Sequence, residues 1–396
     1  MNLTRSEVLG WAAPVAAMAV VSVAISMSVP LFALLMERMG ASGTEIGLNH
    51  TMAAIAMVAS APILPAILAR VGLVPLMLAS VVVLAVTFLV IPLWPSQIWW
   101  GVLRVAFGFA ATTLFFTSEF WLMSIVRDDL RGRVVGLYAV VLSASYMMGP
   151  LLLNAISIDG PLTYLVPTII VIVSSLPIFL GRHGAPPSRS EERAKPHEIL
   201  RFFRTDPMVL WAVVLFGVIE FGAMGLISVW ALRTGFDQET AVQMVFWLAF
   251  GSLVFQLPMG WAADQFDRRK LMAVAAVVSV VMPLLIIPLA DNVMVTSAAI
   301  FVWGGMAVAF YSLGLTELGA RYTGEALARG NAALVLAYGL GALLSPAAFG
   351  TAMDLIPPNG LLWVAALAAM AYLTLAIIRL RRTPVVSLDS KRETSR

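Results

Sequence analysis

The sequence predicts an all-α integral membrane protein, with twelve transmembrane helices arranged as two six-helix bundles related by pseudo-symmetry. Three observations carry that expectation. The 396-residue chain is 60% hydrophobic and only 12% charged, with a mean hydropathy of +0.93; a water-soluble fold of this size cannot bury so much apolar surface. Its apolar runs recur at ~20 residues, the length that crosses a bilayer core. Residues of the first half also return, in order, in the second.

Composition removes several classes at once. With 0 Cys, disulfide frameworks, Cys-based metal sites and thiol nucleophiles are excluded. No metal-ligand cluster and no Ser/His/Asp constellation falls at a plausible intramembrane depth. The sequence is therefore read as no enzyme, with no cofactor, no metal and no nucleic-acid partner; its partners are the lipid bilayer, a small-molecule substrate and protons, and it is read as a monomer.

The spans run 8–36, 44–69, 73–92, 97–126, 132–157, 161–180, 208–233, 240–263, 271–289, 293–321, 328–352 and 360–379. The first continues past the length of a signal-peptide core, so it reads as a retained helix. Turn chemistry separates neighbours at Ala41-Ser42-Gly43, Ile158-Asp159-Gly160-Pro161 and Pro357-Pro358-Asn359-Gly360. The expected domains are residues 1–180, a linker 181–206, residues 207–382 and a tail 383–396. The linker has flexible composition over 184–193, then an amphipathic stretch, His197 to Arg204, whose Ile199, Leu200, Phe202 and Phe203 suit a lipid surface.

Orientation follows from Lys and Arg. With both termini inside, 22 of the 25 lie on the cytoplasmic side, Arg38 and Arg233 lie outside, and Arg104 is buried in the fourth helix. That skew predicts a multi-pass protein of a bacterial-type inner membrane with cytoplasmic termini.

Between the eighth and ninth helices stands Gly260-Trp-Ala-Ala-Asp264-Gln-Phe-Asp267-Arg268-Arg269-Lys270. Gly260 has no Cβ and lets backbone approach closely; Asp264 ends one helix and three cations follow at the membrane edge. This G-x-x-x-D-x-x-D-R-R-K pattern resembles the loop signature of the major facilitator superfamily (MFS) of secondary transporters. Arg104 followed by Gly108 resembles a second motif of that family. Together with Glu119, Arg131-Gly132-Arg133 and Tyr138, the chain resembles its YcaD-like branch. The resemblance implies a transport scaffold and leaves the cargo open.

The internal repeat agrees. Ser118-Glu119 returns as Thr316-Glu317, and the same offset of 198 carries Arg131-Gly132 onto Arg329-Gly330. Met148-Gly149-Pro150 is answered by Leu344-Ser345-Pro346. Parallel repeats of this kind place a substrate site between the halves near the midplane. Two departures stand out. The first half has Pro65 and Ala69 where the second has Gly260 and Asp264, so the acidic member of its loop is missing. Gly149-Pro150 also lacks the glycine pair that follows in drug-exporting antiporters, so import and export both stay open.

Charges inside a bilayer are costly and should face a cavity or a partner. Arg104 either meets an anionic substrate group or a proton-linked carboxylate, or bonds backbone carbonyls of a neighbouring helix. Glu220, thirteen positions into the seventh helix, either takes up and releases a proton during transport or bonds a neighbouring helix while neutral. Gly217, Gly222 and Gly225 let this helix pack closely and bend. Ser22, Ser26, Tyr311 and Tyr338 are candidates to line the cavity, and Asn49, His50 and Gln243 to form an outer vestibule. Glu119 and Glu317 lie at cytoplasmic helix ends. With Asp264, Arg268, Arg321, Arg131 and Arg329 they read as a charge cluster latching the inner gate, anchored by Asp264.

The reading is a secondary active transporter of a small organic molecule, working by alternating access with proton coupling through Glu220 and Arg104. An efflux antiporter and a non-transporting sensor on the same scaffold are the alternatives.

Overall fold

The computed structural model describes residues 5–60, 62–126, 131–156, 158, 160–187 and 196–382. The tail 383–396, linker residues 188–195 and the side chains of Arg131 and His197 lie outside what it describes. Among the described residues there are eleven helices long and apolar enough to span a membrane, and a bent pair that makes a twelfth. They are α1 (Arg5–Arg38), α2 (Gly43–Ser60, then Leu64–Val71 at 65°), α3 (Leu73–Val90), α4 (Gln97–Ile125), α5 (Arg131–Ile156) and α6 (Leu162–Val173 with Ser175–Gly181). After the linker helix Pro196–Thr205 come α7 (Pro207–Thr234), α8 (Gln238–Gln265), α9 (Arg268–Leu289), α10 (Val293–Arg321), α11 (Gly324–Leu355) and α12 (Gly360–Arg382). Helices satisfy their own backbone within lipid, which is why the apolar runs fold this way.

Short polar caps permit the tight hairpins. Asp237 accepts from the Thr240 amide at 2.8 Å to start α8, and Asp267 accepts from the Arg269 amide at 2.9 Å to start α9. Gly235, at φ +103°, ends α7 in a conformation that other residues rarely adopt.

Two bundles result. In the first, α1 packs on α5 and α4, α2 on α4, and α3 on α4 and α6; in the second, α7 packs on α11 and α10, α8 on α10, and α9 on α10 and α12. The bundles meet through α2–α11, α5–α8 and α1–α7. The linker helix departs from the sequence expectation. Phe202 is buried against Tyr322 at 5.3 Å rather than turned to lipid, and Phe203 lies on Trp211 at 6.0 Å.

α1 begins and α12 ends on one side, here the terminal face; the opposite side is the far face. On the far face the bundles are locked together. Arg233 of α7 donates from Nε and Nη2 to both oxygens of Glu37 of α1 at 2.9 Å, and from Nη1 to Asp354 of α11 at 3.1 Å. Asp354 also accepts from the Gly43 and Thr44 amides at 2.7 Å, capping α2 across the bundle boundary. An anion is favourable at such a helix start. Backbones touch there too: a Cβ on Gly47 would lie 2.1 Å from the Pro346 carbonyl oxygen. Midway along α5, residues 141–147 are all partly exposed, on every side of the helix. The halves are closed on the far face and parted toward the terminal face.

Candidate functional site

Between the parted halves lies a cavity of about 160 Å³. Arg104 reaches it from the second turn of α4, whose cavity face continues through Phe107, Gly108, Ala111 and Phe115 at helical spacing. Gly108 brings α4 onto α2, since a Cβ there would lie 2.6 Å from the Ala53 carbonyl oxygen. That approach sets Asn49 and His50 beside Arg104. The guanidinium donates from Nε to Asn49 Oδ1 at 3.3 Å and from Nη2 to His50 Nδ1 at 3.3 Å. It also stacks over Phe32 with 4.1 Å to the ring centre. Arg104 is 2% exposed, so it is fixed within the first bundle by neutral groups.

Glu220 enters from the other side. Over Val218–Ala223 the helix α7 widens to π geometry, an insertion that shifts the phase of every later residue and often marks a functional site. This turn carries Glu220 and Phe221 into the cavity. Gly217 and Gly222 hold α7 against α11, where added Cβ atoms would meet the Tyr338 carbonyl oxygen at 2.4 Å and the Ser345 hydroxyl at 2.4 Å. Tyr338 then donates its hydroxyl to Glu220 Oε2 at 2.6 Å. Tyr146 of α5 lines the same space. Among the described residues, neither Arg104 nor Glu220 is in an ion pair.

The structure thus gathers Arg104, Glu220 and Tyr338 in one cavity and leaves other candidates out. Ser26 donates to its own Val23 carbonyl at 3.0 Å and lies against Gly149 of α5, next to Pro150. Ser22 is buried away from the lining. The cavity face of α1 is Ile25, Ser28 and Val29, because the contact with Gly149 sets the rotation of the helix. Tyr311 packs on Phe216 at 5.6 Å, outside the lining. Asn49 and His50 form no vestibule; both are 5% exposed and belong to the site. Tyr146 was missed, although its place one turn before Gly149-Pro150 put it on the face that α5 turns inward.

At the terminal face Glu317 collects the charges. It pairs with Arg268 at 3.7 Å, with Arg269 at 3.3 Å and with Arg321, which also pairs with Asp206 at 2.6 Å. All of these lie in the second bundle, except Asp206 at the end of the linker. Asp264, expected as the anchor, is exposed at the end of α8 and outside this cluster. Gly260 has nothing within 4 Å of an added Cβ, so the close approach expected there is absent in this conformation. Glu119 is exposed about two turns before the end of α4, and Arg329 lies in the second turn of α11. Among the described residues, no group of three or more His, Asp or Glu is placed to hold a metal.

Twelve helices in two bundles, with a largely apolar cavity holding Arg104 and Glu220 between the halves, define the architecture of secondary transporters. The chain belongs to the Major Facilitator Superfamily, whose profile matches residues 15–255 and again 243–395. Among its relatives is "Uncharacterized MFS-type transporter YfkF" of Bacillus subtilis (strain 168), 24% identical over 83% of this chain and 84% of the relative. Another is "Uncharacterized MFS-type transporter YcaD" of Salmonella typhi, 22% identical over 72% of this chain and 73% of the relative. Similar solved structures include the nucleoside transporter NupG, with a TM-score of 0.75 at 13% identity, covering 95% of this chain and all of that one. A D-xylose-proton symporter has a TM-score of 0.69 at 11% identity, covering 93% and 96%.

Proposed function

We propose that this protein carries a small organic molecule across the membrane by alternating access, coupled to protons through Glu220. The observation that supports it most is the facing of Arg104 and Glu220. They come from opposite bundles into one cavity, each held by neutral partners. A buried charge without a counter-charge is costly, so Arg104 invites an anionic or strongly polar group of the cargo. Glu220 resolves its own cost by taking up a proton, which makes its charge a variable of the transport cycle. Phe107, Phe115 and Phe221 supply apolar walls for the body of the solute. A cargo with an acidic group on a small apolar frame fits this chemistry.

The excess of Lys and Arg on the terminal face argues that this face is cytoplasmic. On that reading the conformation is inward-facing, the protein resides in a plasma membrane, and one chain with its own cavity suffices for transport.

The test is proton movement in proteoliposomes, followed with an internal pH dye as organic acids, amino acids, nucleosides and pentoses are added in turn. A cargo should drive proton flux in the wild type, and Glu220→Gln should abolish it while cargo still raises the thermal stability of the variant. Undiminished flux in Glu220→Gln would place the proton elsewhere and end this reading.

A further inference from the structure

We infer that His50 is a positioning residue that ties Arg104 of the first bundle to the π-turn of α7 in the second, and so holds the cavity shut on the far side. The inference rests on the alternating-access reading above and adds a residue that the reading does not use.

His50 has one polar partner in its own bundle and one ring partner in the other. An arginine has only donors, so the contact at 3.3 Å makes His50 Nδ1 the acceptor from Arg104. That requires the neutral tautomer, with its proton on Nε2. The second partner is Phe221 of α7, across the bundle boundary. The imidazole lies on the Phe221 ring, centroids 4.5 Å apart. Gly225 makes the room, since a Cβ there would lie 2.6 Å from His50 Cδ2 and 2.7 Å from Nε2.

A histidine that merely fills a bundle finds both partners in that bundle. This one spans a boundary whose two sides must separate in every cycle. Arg104 is itself anchored by Asn49 and Phe32, so a pull on the guanidinium passes through the imidazole to the turn bearing Glu220. The other titratable groups facing this space are Glu220, Tyr146 and Tyr338.

The chain has 0 Cys, so a single introduced thiol reports without background. Ala41→Cys is suitable: Ala41 is 3% exposed on the far face, and its carbonyl accepts from Arg233. The rate at which a bulky maleimide labels this thiol in detergent measures far-side opening. Loss of one ring contact across the boundary shifts such an equilibrium by about fivefold. His50→Leu should therefore raise the labelling rate by about that factor. Gly225→Ala, which displaces His50 from the opposite bundle, should do the same. His50→Gln keeps the acceptor for Arg104 but loses the ring on Phe221, and should label as fast as His50→Leu.

Slow labelling in both His50→Leu and Gly225→Ala would overturn the inference. Slow labelling in His50→Gln would overturn it as well, because the bridge would then not be the ring contact. If His50→Leu does not fold, Gly225→Ala and His50→Gln decide. The assay needs neither cargo nor a proton gradient, so a failed proton-flux experiment leaves its outcome intact.

Discussion

At the scale of single residues, the site depends on the shape of Arg104 as well as its charge. Its fork donates to Asn49 and His50, and its flat face lies on Phe32. A lysine keeps the charge and loses both the fork and the stack. Arg104→Lys should therefore raise the KM for cargo by about tenfold, the worth of one charged hydrogen bond, and Arg104→Gln should abolish uptake; initial-rate measurements in proteoliposomes check both. Arg104 and Glu220 were legible in the sequence because an ionisable group in an apolar run is too costly to be there by default. Ser22 and Ser26 were misread, because a serine in such a run has no comparable cost; Ser26 bonds its own helix and Ser22 is buried away from the cavity. His50 and Tyr146 were undervalued for a related reason. Their importance comes from the rotation of α2 and α5 against other helices, which depends on where small residues let backbones meet.

At the scale of elements, α2 is the pivot. One face meets α4 at Ala53 against Gly108, and another meets α11 at Gly47 against Pro346. Its start is capped by Asp354 of the other bundle. Added bulk at Gly47 has only backbone to push against, so Gly47→Val should open the far face and speed labelling of Ala41→Cys. Gly260→Ala should leave that rate unchanged, because an added Cβ there meets nothing. Equal effects of the two would remove α2–α11 packing as the determinant of closure. The twelve spans were readable from apolar run length alone. Two features were not. A 3.6-residue period assumes an unbroken helix, and the π-turn at Val218–Ala223 inserts a phase shift that no residue type announces. Nor does composition announce which charges cross the bundle boundary: Arg233 read as an outside cation and proves to be the centre of the far-face lock.

At the scale of the whole molecule, the two faces set opposite sides of one equilibrium. The far-face lock around Arg233 joins the bundles in the present conformation. The terminal cluster around Glu317 lies wholly in the second bundle and does not. Asp264 is exposed on that face, at the end of the helix that meets α5 across the boundary, and we propose that it latches the terminal side when that side closes. The first half has Ala69 in the corresponding place, so such a latch is one-sided. A mutation weakens only the conformation in which its contact exists. Asp354→Asn removes one charge from a partly exposed pair, worth about 1 kcal/mol or roughly fivefold. It should speed labelling of Ala41→Cys by that factor. Asp264→Asn should slow it, because the conformation open on the far face loses its latch, whereas Ala69→Ser should change nothing. The two aspartates are at opposite ends of the bundles, and distant sites add. The double variant should therefore label near the wild-type rate, although each single variant transports poorly. A double variant as fast as Asp354→Asn alone would show that Asp264 has no part in the balance, and the latch would have to be sought at Glu317.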